Sequence, residues 1–542
     1  MMKRDKTMKS IIKYTLFGAM SLGFAACTGD FESVNTNPYE ATESDLEADN
    51  LTVGSFFSQM ELRMVPFTAG GQQDDSYGST GSYQHFQGLC SDWYSGYVAP
   101  TGTWANGNHN GNYYFTGEWG NSMYKQNFTQ IMPNWATVVK NAKKYNIPGA
   151  AALATVVKVY AMHRVTDQYG PMPYVNYVAG STNNAFDSQE DIYKKFFEEL
   201  DAAIEELTPY ASAGAKILDK FDYIYGGDAA KWVKFANTLR LRLALRVVYA
   251  DAALAQQEGE KSLSNTIGFL ETADDRACMK GITMMNPLYE QAYNWNEERM
   301  SASMDSYMNG YSDPRRSAYF KAAGDGKYHG VRLGINMASG NAAYTGDKIS
   351  NFNLTSSSTI PYMSSAESFF LRAEAALRGW NAGGTAKEFY ESGIKASMNE
   401  WGINSGVDEY ISSDAQPQAF VDNTGKGGNA AQPSTITVAY DEEASFEENL
   451  ERIITQKWIA NFLISPEGWA EFRRTGYPRL FPTKRNSNSG TINTDLQIRR
   501  MPYPEPLYTD EATRNRVMEG VALLGGADNG GTKLWWDKNP NH

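Results

Sequence analysis

The sequence predicts a mainly α-helical protein: an array of antiparallel helix pairs carrying a large irregular, loop-rich subdomain with few short strands. Three observations predict it. Amphipathic segments recur in pairs with short polar breaks between them. Several of these segments open on a Ser or Thr followed three residues later by an acidic residue, the spacing of a capping box. Between the pairs run long stretches of Gly, Asn, Ser and Pro that hold neither the helical nor the strand period.

The first helical signal falls near 50–64. The first pair is expected at 125–145 and 149–166, where Pro148 suits a helix start and Leu153, Val156, Val157 and Tyr160 share a face. The second is 189–207 and 228–250. Its first member opens at Ser188 with Asp191 and carries the stripe Ile192, Phe196, Leu200, Ala203, Leu207; its second carries Trp232, Phe235, Ala236, Leu239, Leu243 and Val247. A third pair, 365–379 and 386–400, opens on Ser364/Glu367 and Thr385/Glu388, and Gly379 ends its first helix. A fourth, 446–464 and 466–474, begins at Ser445 with Glu448. The pairs thus occupy about 125–250 and 364–475, with irregular inserts at 70–120, 251–363 and 401–444. Paired helices with short connections suggest a tetratricopeptide-like array. Because the pairs straddle the inserts, 46–542 is expected to form one domain.

The amino terminus reads as an export signal. Lys3, Arg4, Lys6, Lys9 and Lys13 precede a short apolar stretch from Tyr14 to Phe24, far below the roughly 20 apolar residues that span a bilayer. Ala25 and Ala26 then stand before Cys27, and the run Leu22-Gly23-Phe24-Ala25-Ala26-Cys27 resembles a bacterial lipobox. Residues 1–26 are expected to be removed, Cys27 lipidated and 27–45 left as a tether. Several acyl chains, at about 0.8 kcal/mol per buried methylene, would hold the protein durably on a membrane.

Composition narrows the function. A formal charge of −13 argues against nucleic acid and against a polybasic hold on anionic lipid, so membrane contact is expected through the lipid alone. Beyond Cys27 only Cys90 and Cys278 remain, enough for one disulfide or two free thiols. The five histidines form no HExxH and no i,i+4 pair. No EF-hand loop, GxSxG, P-loop or dinucleotide fingerprint is present. No metal, cofactor or catalytic residue is therefore assigned.

One region stands out chemically. Residues 77–119 hold eleven aromatics in 43 positions, twice the 13% of the whole chain. Gly and Asn between them favour turns over a buried stripe. Trp and Tyr stack on the C–H faces of sugar rings and bury large area at little rotamer entropy. Trp93, Tyr94, Tyr97, Trp104, Tyr113, Tyr114 and Trp119, with Asp92 as a polar partner, are the candidate ligand contacts. Tyr293, Trp295 and Arg299, beside Tyr289, form a second candidate group in the 251–363 insert. About half of the first set is expected to knit the loop onto the core. Trp458, Trp469, Arg473 and Arg474 are read as scaffold, and Glu374 and Arg372 as partners of neighbouring helices.

Several segments together resemble the SusD/RagB family of outer-membrane lipoproteins, most closely its second large branch. These are Val34-Asn35-Thr36-Asn37-Pro38-Tyr39, His163 to Tyr174, Trp232 to Val247, Phe370 to Gly379, Ile453 to Leu480, and Arg499-Arg500-Met501-Pro502-Tyr503-Pro504. The resemblance implies a tetratricopeptide-like helical fold, an outer-membrane location facing out of the cell, and capture of glycans for a SusC-like TonB-dependent transporter. It implies a binding protein, not an enzyme. Two other readings stay open: capture of peptides on the same scaffold, and a surface glycoside hydrolase. The last needs two carboxylates roughly 5–9.5 Å apart across a bond; Asp92 and Glu118 lie in the aromatic region, and nothing in the sequence places them face to face.

Overall fold

The computed structural model describes residues 50–69, 80–101, 104–115, 119–181, 183–282, 284–335, 347–423 and 425–542. The signal peptide, Cys27, the tether, Tyr77 and Glu118 lie outside the described residues, as does the side chain of Trp104. Residues Val53–His542 make one compact unit.

Along the chain, α1 (Leu51–Arg63) leads to β1 (Thr68–Ala69), and β2 (Val98–Pro100) follows a run of short helical turns. Then come α2 (Met132–Lys144), α3 (Ala150–Tyr169), α4 (Gln189–Ser212), α5 (Ala229–Arg246) and α6 (Ala252–Leu263). The long insert holds β3 (Ala277–Cys278), β4 (Met284–Met285), β5 (Glu298–Met300), α7 (Ala302–Gly310) and β6 (Pro361–Met363). The array resumes with α8 (Ser365–Leu377), α9 (Ala386–Glu400), α10 (Phe446–Ala460) and α11 (Ser465–Thr475), and α12 (Glu511–Leu524) ends it.

Three of the four predicted pairs form, while the fourth does not pack as a pair: α11 lies against α3 and the short turn Ser91–Tyr94. Helix α2 packs on α3, α3 on α4, α4 on α5, and α5 on α6; α8 packs on α9, and α10 lies against both. Helix α5 meets α8 and so joins the two runs across the insert. The stripes point where periodicity puts them: Ile192, Phe196, Leu200, Ala203 and Leu207 of α4 are all buried, as are Trp232, Phe235, Leu239 and Leu243 of α5. Trp232 meets Phe57, Tyr225 and Phe235 edge-on, and its Nε1 donates to Asp222 Oδ2 at 2.6 Å. A buried indole thus packs its ring and satisfies its single donor together.

All four expected caps hold their helices through the Ser or Thr oxygen, Ser364 accepting from Ala366 N. Ser188 accepts from Asp191 N, and Thr385/Glu388 and Ser445/Glu448 are complete capping boxes. Ser364/Glu367 is not a capping box. Glu367 is buried and accepts two bonds of 2.7 Å from Arg242, so it cannot reach back to the first turn. Glu400, at the end of α9, takes that place: its Oε1 accepts from Ser365 N at 2.6 Å and Ala366 N at 3.3 Å.

Helices α5, α8, α10 and α11 meet along a buried ionic seam. Arg246 of α5 reaches Glu467 at 2.5 Å and Glu471 at 2.8 Å. Arg474 bridges Glu374 and Glu471 at 2.6 Å each, and Lys457 lies 3.3–3.6 Å from Glu367, Glu467 and Glu471. Burial alone would raise the Glu471 carboxyl. Arg474, Lys457 and Arg246 outweigh it and hold that group well below the usual range. Arg473 lies 3.7 Å over the Trp469 ring and donates to the carbonyls of Asp167 and Arg499. Glu374 pairs with α11 as expected, whereas Arg372 reaches Glu271 at 2.8 Å in the loop after α6, with Phe269, Phe369 and Phe389 around its guanidinium.

Three helices went unforeseen: α6, α7 and α12. Helix α6 buries Ala255, Glu258, Gly259 and Ser262, and α12 buries only Val517 and Gly520. A Cβ on Gly259 would meet the Trp380 ring, and one on Gly520 would meet Phe186. Such helices dock by letting a large ring approach their backbone, which leaves no apolar stripe to read. Cys90 and Cys278 are both buried free thiols. Among the described residues, no helix is long and apolar enough to cross a membrane.

Candidate functional site

Among the described residues, two two-stranded antiparallel sheets tie the long insert to the preceding chain, and a third, β3 with β6, closes the insert on itself. In one, β2 pairs β5 in the register Val98↔Met300, Ala99↔Arg299 and Pro100↔Glu298. The ladder continues beyond the strands: Thr101 N donates to Glu297 O and Thr101 Oγ1 to Asn296 O, both at 2.7 Å. In a second sheet β1 pairs β4, Thr68 opposite Met285, and Gln84 Nε2 donates to Glu297 Oε2 at 2.7 Å. The two candidate groups, about 200 residues apart in sequence, become neighbours.

Within that frame the candidates separate. Trp295 (40% exposed) and Tyr114 (44%) are open to solvent. Tyr293 and Tyr289 are half-buried and stack on each other, centroids 4.7 Å apart at 23°. The Tyr293 hydroxyl donates to Phe352 O at 2.5 Å, and Lys321 Nζ lies 4.9 Å over its ring. That ring is held firmly from below. Trp119 is half-buried. Trp104 opens a turn in which Ala105 (φ 45°), Asn106 (φ 56°) and Gly107 (φ 83°) are all left-handed. Only Gly takes that conformation without cost, so Ala105 and Asn106 store strain in this turn.

Six candidates are core residues instead, which corrects the expectation for Asp92, Trp93, Tyr94, Tyr97, Tyr113 and Arg299. Trp93 Nε1 donates to Glu298 Oε1 at 2.9 Å and its ring meets His109 edge-on. Tyr94 packs between Tyr113 and Trp469 and donates to Asn110 O. Tyr97 stacks on Trp458 at 5.2 Å and 16°, its hydroxyl on Trp458 O at 2.6 Å. Asp92 accepts from Tyr83 at 2.7 Å and Gln87 at 3.0 Å. The Arg299 guanidinium is turned inward onto Ala292 O, Glu298 O and Asn296 Oδ1, at 2.6–2.7 Å. For Trp93, Tyr94 and Tyr97 the physical reason is shared: residues 80–101 form short turns wedged between the insert and α10–α11, and each ring there buries an area that no long helix is present to cover.

Electrostatics follow the same division. Burial, then the neighbouring Asp92 charge, pushes the Glu298 carboxyl well above the usual range, against the bond from Trp93. Burial likewise raises Asp92, against bonds from Ser465, Tyr83 and Gln87. These two buried acids are held by the core and do not face a ligand. At the edge, burial raises Glu297 against the bond from Gln84. The polar groups beside the open aromatics are Gln84, Glu290, Asn294 and Glu297; Asn294 Nδ2 donates to Glu290 Oε2 at 2.5 Å. Sequence reading missed these four. The signal available was a Glu and an Asn four apart between two tyrosines and a tryptophan.

The arrangement at 284–300 is a surface platform: stacked and exposed rings, amide and carboxylate partners, and the β1–β4 and β2–β5 ladders at its two ends. It suits stacking on flat apolar faces with hydrogen bonds at their edges.

The chain matches the SusD-like family, described as SusD and RagB outer membrane lipoproteins, over residues 33–537. No curated protein sequence matches it significantly. Solved structures do. A chitin-binding SusD homolog from Flavobacterium johnsoniae is 38% identical with a TM-score of 0.84, the match covering 90% of this chain and 100% of that one. A SusD homolog from Bacteroides uniformis is 36% identical (TM-score 0.83; 90% and 99% covered). One from Bacteroides thetaiotaomicron is 36% identical (TM-score 0.81; 90% and 99% covered). With the helix-pair array, the family's match to nearly the whole chain and these structural relatives in agreement, the chain belongs to the SusD/RagB family of outer-membrane lipoproteins.

Proposed function

We propose that the protein is a non-enzymatic cell-surface lipoprotein that captures glycans and delivers them to a SusC-like TonB-dependent transporter. One observation carries the binding half of this reading. The β2–β5 ladder pins the 298–300 strand to 98–100, and next to it Trp295 is exposed while Tyr289 and Tyr293 stack on each other. A sugar ring would stack on the indole while Glu290, Asn294 and Gln84 meet its hydroxyls. The chitin-binding relative supports a carbohydrate over a peptide. The delivery half rests on family membership. A lipid on Cys27 would confine the protein to the membrane plane and raise its concentration at a transporter mouth.

The test is retention of the protein on a panel of insoluble and soluble polysaccharides, against pools of mixed peptides. Saturable glycan retention that Trp295→Ala weakens is expected. Peptide retention without glycan retention would replace the reading with peptide capture. For delivery, solubilising the native lipoprotein in mild detergent should co-purify a large β-barrel. Failure across several detergents would remove the transporter from the proposal.

A further inference from the structure

A second concavity lies on the insert, just after β5. It is a cleft of about 440 Å³, within the range of about 300–1,000 Å³ typical of small-ligand sites, between α7, the 316–329 segment and residues 418–423. Two cationic side chains line it, Arg316 and Lys327. Arg316 is fixed on two sides. Its Nη1 donates to Asn309 Oδ1 at 2.8 Å, and its guanidinium lies 4.6 Å over the Tyr328 ring. Asn309 is itself oriented by Nδ2 bonds to Asp305 Oδ1 at 2.7 Å and Tyr328 O at 2.9 Å. The rotamer entropy of the long Arg side chain is thus already lost before any ligand arrives.

The acids around the cleft are engaged elsewhere. Asp305 is 4% exposed and its second oxygen accepts from Gly330 N at 2.8 Å. Burial, against those bonds, lifts its carboxyl to about 6. Asp325 faces His329 Nε2 at 2.9 Å and accepts from Lys327 N. The opposite wall offers Val421, 68% exposed, an apolar contact with no packing duty of its own. In a chain of net charge −13, the cleft therefore presents a pre-set guanidinium and an ammonium beside an apolar side chain.

We propose that this cleft is a subsite for an acidic sugar unit of the captured glycan, its carboxylate or sulfate held by Arg316 and Lys327. The planar guanidinium gives the anion a directional, charge-assisted contact, and the lysine adds a point charge. The inference rests on the glycan-capture reading and adds a substrate class to it.

The experiment is calorimetric titration of the full lipoprotein with matched oligosaccharides. One pair is an oligogalacturonate and its carboxyl-reduced counterpart; the other is a sulfated galacto-oligosaccharide and its desulfated form. At least one acidic member should bind about tenfold tighter than its neutral match, with the preference shrinking as salt rises. The double variant Arg316→Gln/Lys327→Gln should erase that preference and leave the neutral affinity and the melting temperature unchanged. The arm that responds names the anion. Equal affinity for charged and neutral partners, or a preference that survives the double variant, overturns the acidic subsite alone. Absence of binding to these four and to every member of the polysaccharide panel overturns the capture reading with it.

Discussion

Helices α10–α11 and the 284–300 insert are both rich in aromatic and charged side chains, and they use them in opposite ways. In α10–α11, Trp458 and Trp469 are buried and their indole donors reach Ser95 O and Ile498 O. Arg473 and Arg474 are buried with them, Arg473 donating to the carbonyls of Asp167 and Arg499 and Arg474 to the Glu374 carboxylate. In the insert, Trp295 stands in solvent and Tyr289 and Tyr293 are only half covered. Residue type is the same, but partner saturation differs. A ring whose faces and polar atom are all satisfied internally is scaffold, and a ring supported from one side is available. The 80–101 segment looks like the insert in sequence and behaves like α10–α11 in space.

The sharpest way to break this comparison is to damage each side and read stability and binding separately. Arg474→Leu should have the largest effect. It leaves Glu374 and Glu471 buried without their main partner, and breaking a buried pair in this way costs about 3–5 kcal/mol. Urea denaturation would measure it. A loss under about 1 kcal/mol would mean that the seam repacks freely and is not what locks α8 to α11.

Acidification should separate the regions next. Arg474 and its neighbours hold Glu374 and Glu471 below the usual Glu value of 4.5 despite burial, and Arg242 does the same for Glu367. A depressed carboxyl contributes stability that is present above its unfolded value and lost as pH falls through its folded value. Stability should therefore drop steeply below about pH 4.5. Glu298 has the opposite sign. Burial raises it, so its contribution worsens as pH climbs from 4.5 toward its folded value. Glu298→Gln keeps an acceptor for Trp93 and should flatten the fall in stability above pH 4.5 without touching the acid limb. An unchanged slope would show that Glu298 is not protonated in the fold.

Trp295→Ala is the third perturbation. An exposed side chain of this kind should alter stability by no more than about 0.5 kcal/mol. Glycan affinity should fall by about 1–2 kcal/mol, roughly tenfold, as for a central aromatic anchor. Trp93→Ala should reverse the pattern, costing about 3–5 kcal/mol of stability through the cavity it leaves. Comparable melting losses in the two variants would erase the distinction between platform and core.

The helices were legible where their signals are local. Thr385 and Ser445 announce α9 and α10, and the α4 and α5 stripes announce which faces are buried. Helices α6 and α12 were not, because Gly259 and Gly520 dock them through absence of a side chain. The site was half legible. Aromatic density pointed to both groups that the β2–β5 ladder joins, but composition could not say that Trp93, Tyr94 and Tyr97 fall inward. Their partners Glu298, Trp469 and Trp458 lie hundreds of residues away. Burial of that kind is set by a pairing register that no local pattern encodes.

The smallest expected effect tests the same point on two caps that look alike in sequence. Ser445/Glu448 and Ser364/Glu367 share one spacing, and only the first is a capping box. Ser445→Ala removes the acceptor for Glu448 N at the exposed start of α10 and should cost about 1 kcal/mol. Ser364 also accepts from Ala366 N, but Glu400 Oε1 independently accepts from Ser365 N and Ala366 N. Ser364→Ala should therefore cost about half as much or less, since the first-turn donors keep a charged acceptor. Equal losses in the two variants would mean that the Glu400 carboxylate does not cap α8 in solution. In that case the link between the end of α9 and the start of α8 would be packing alone.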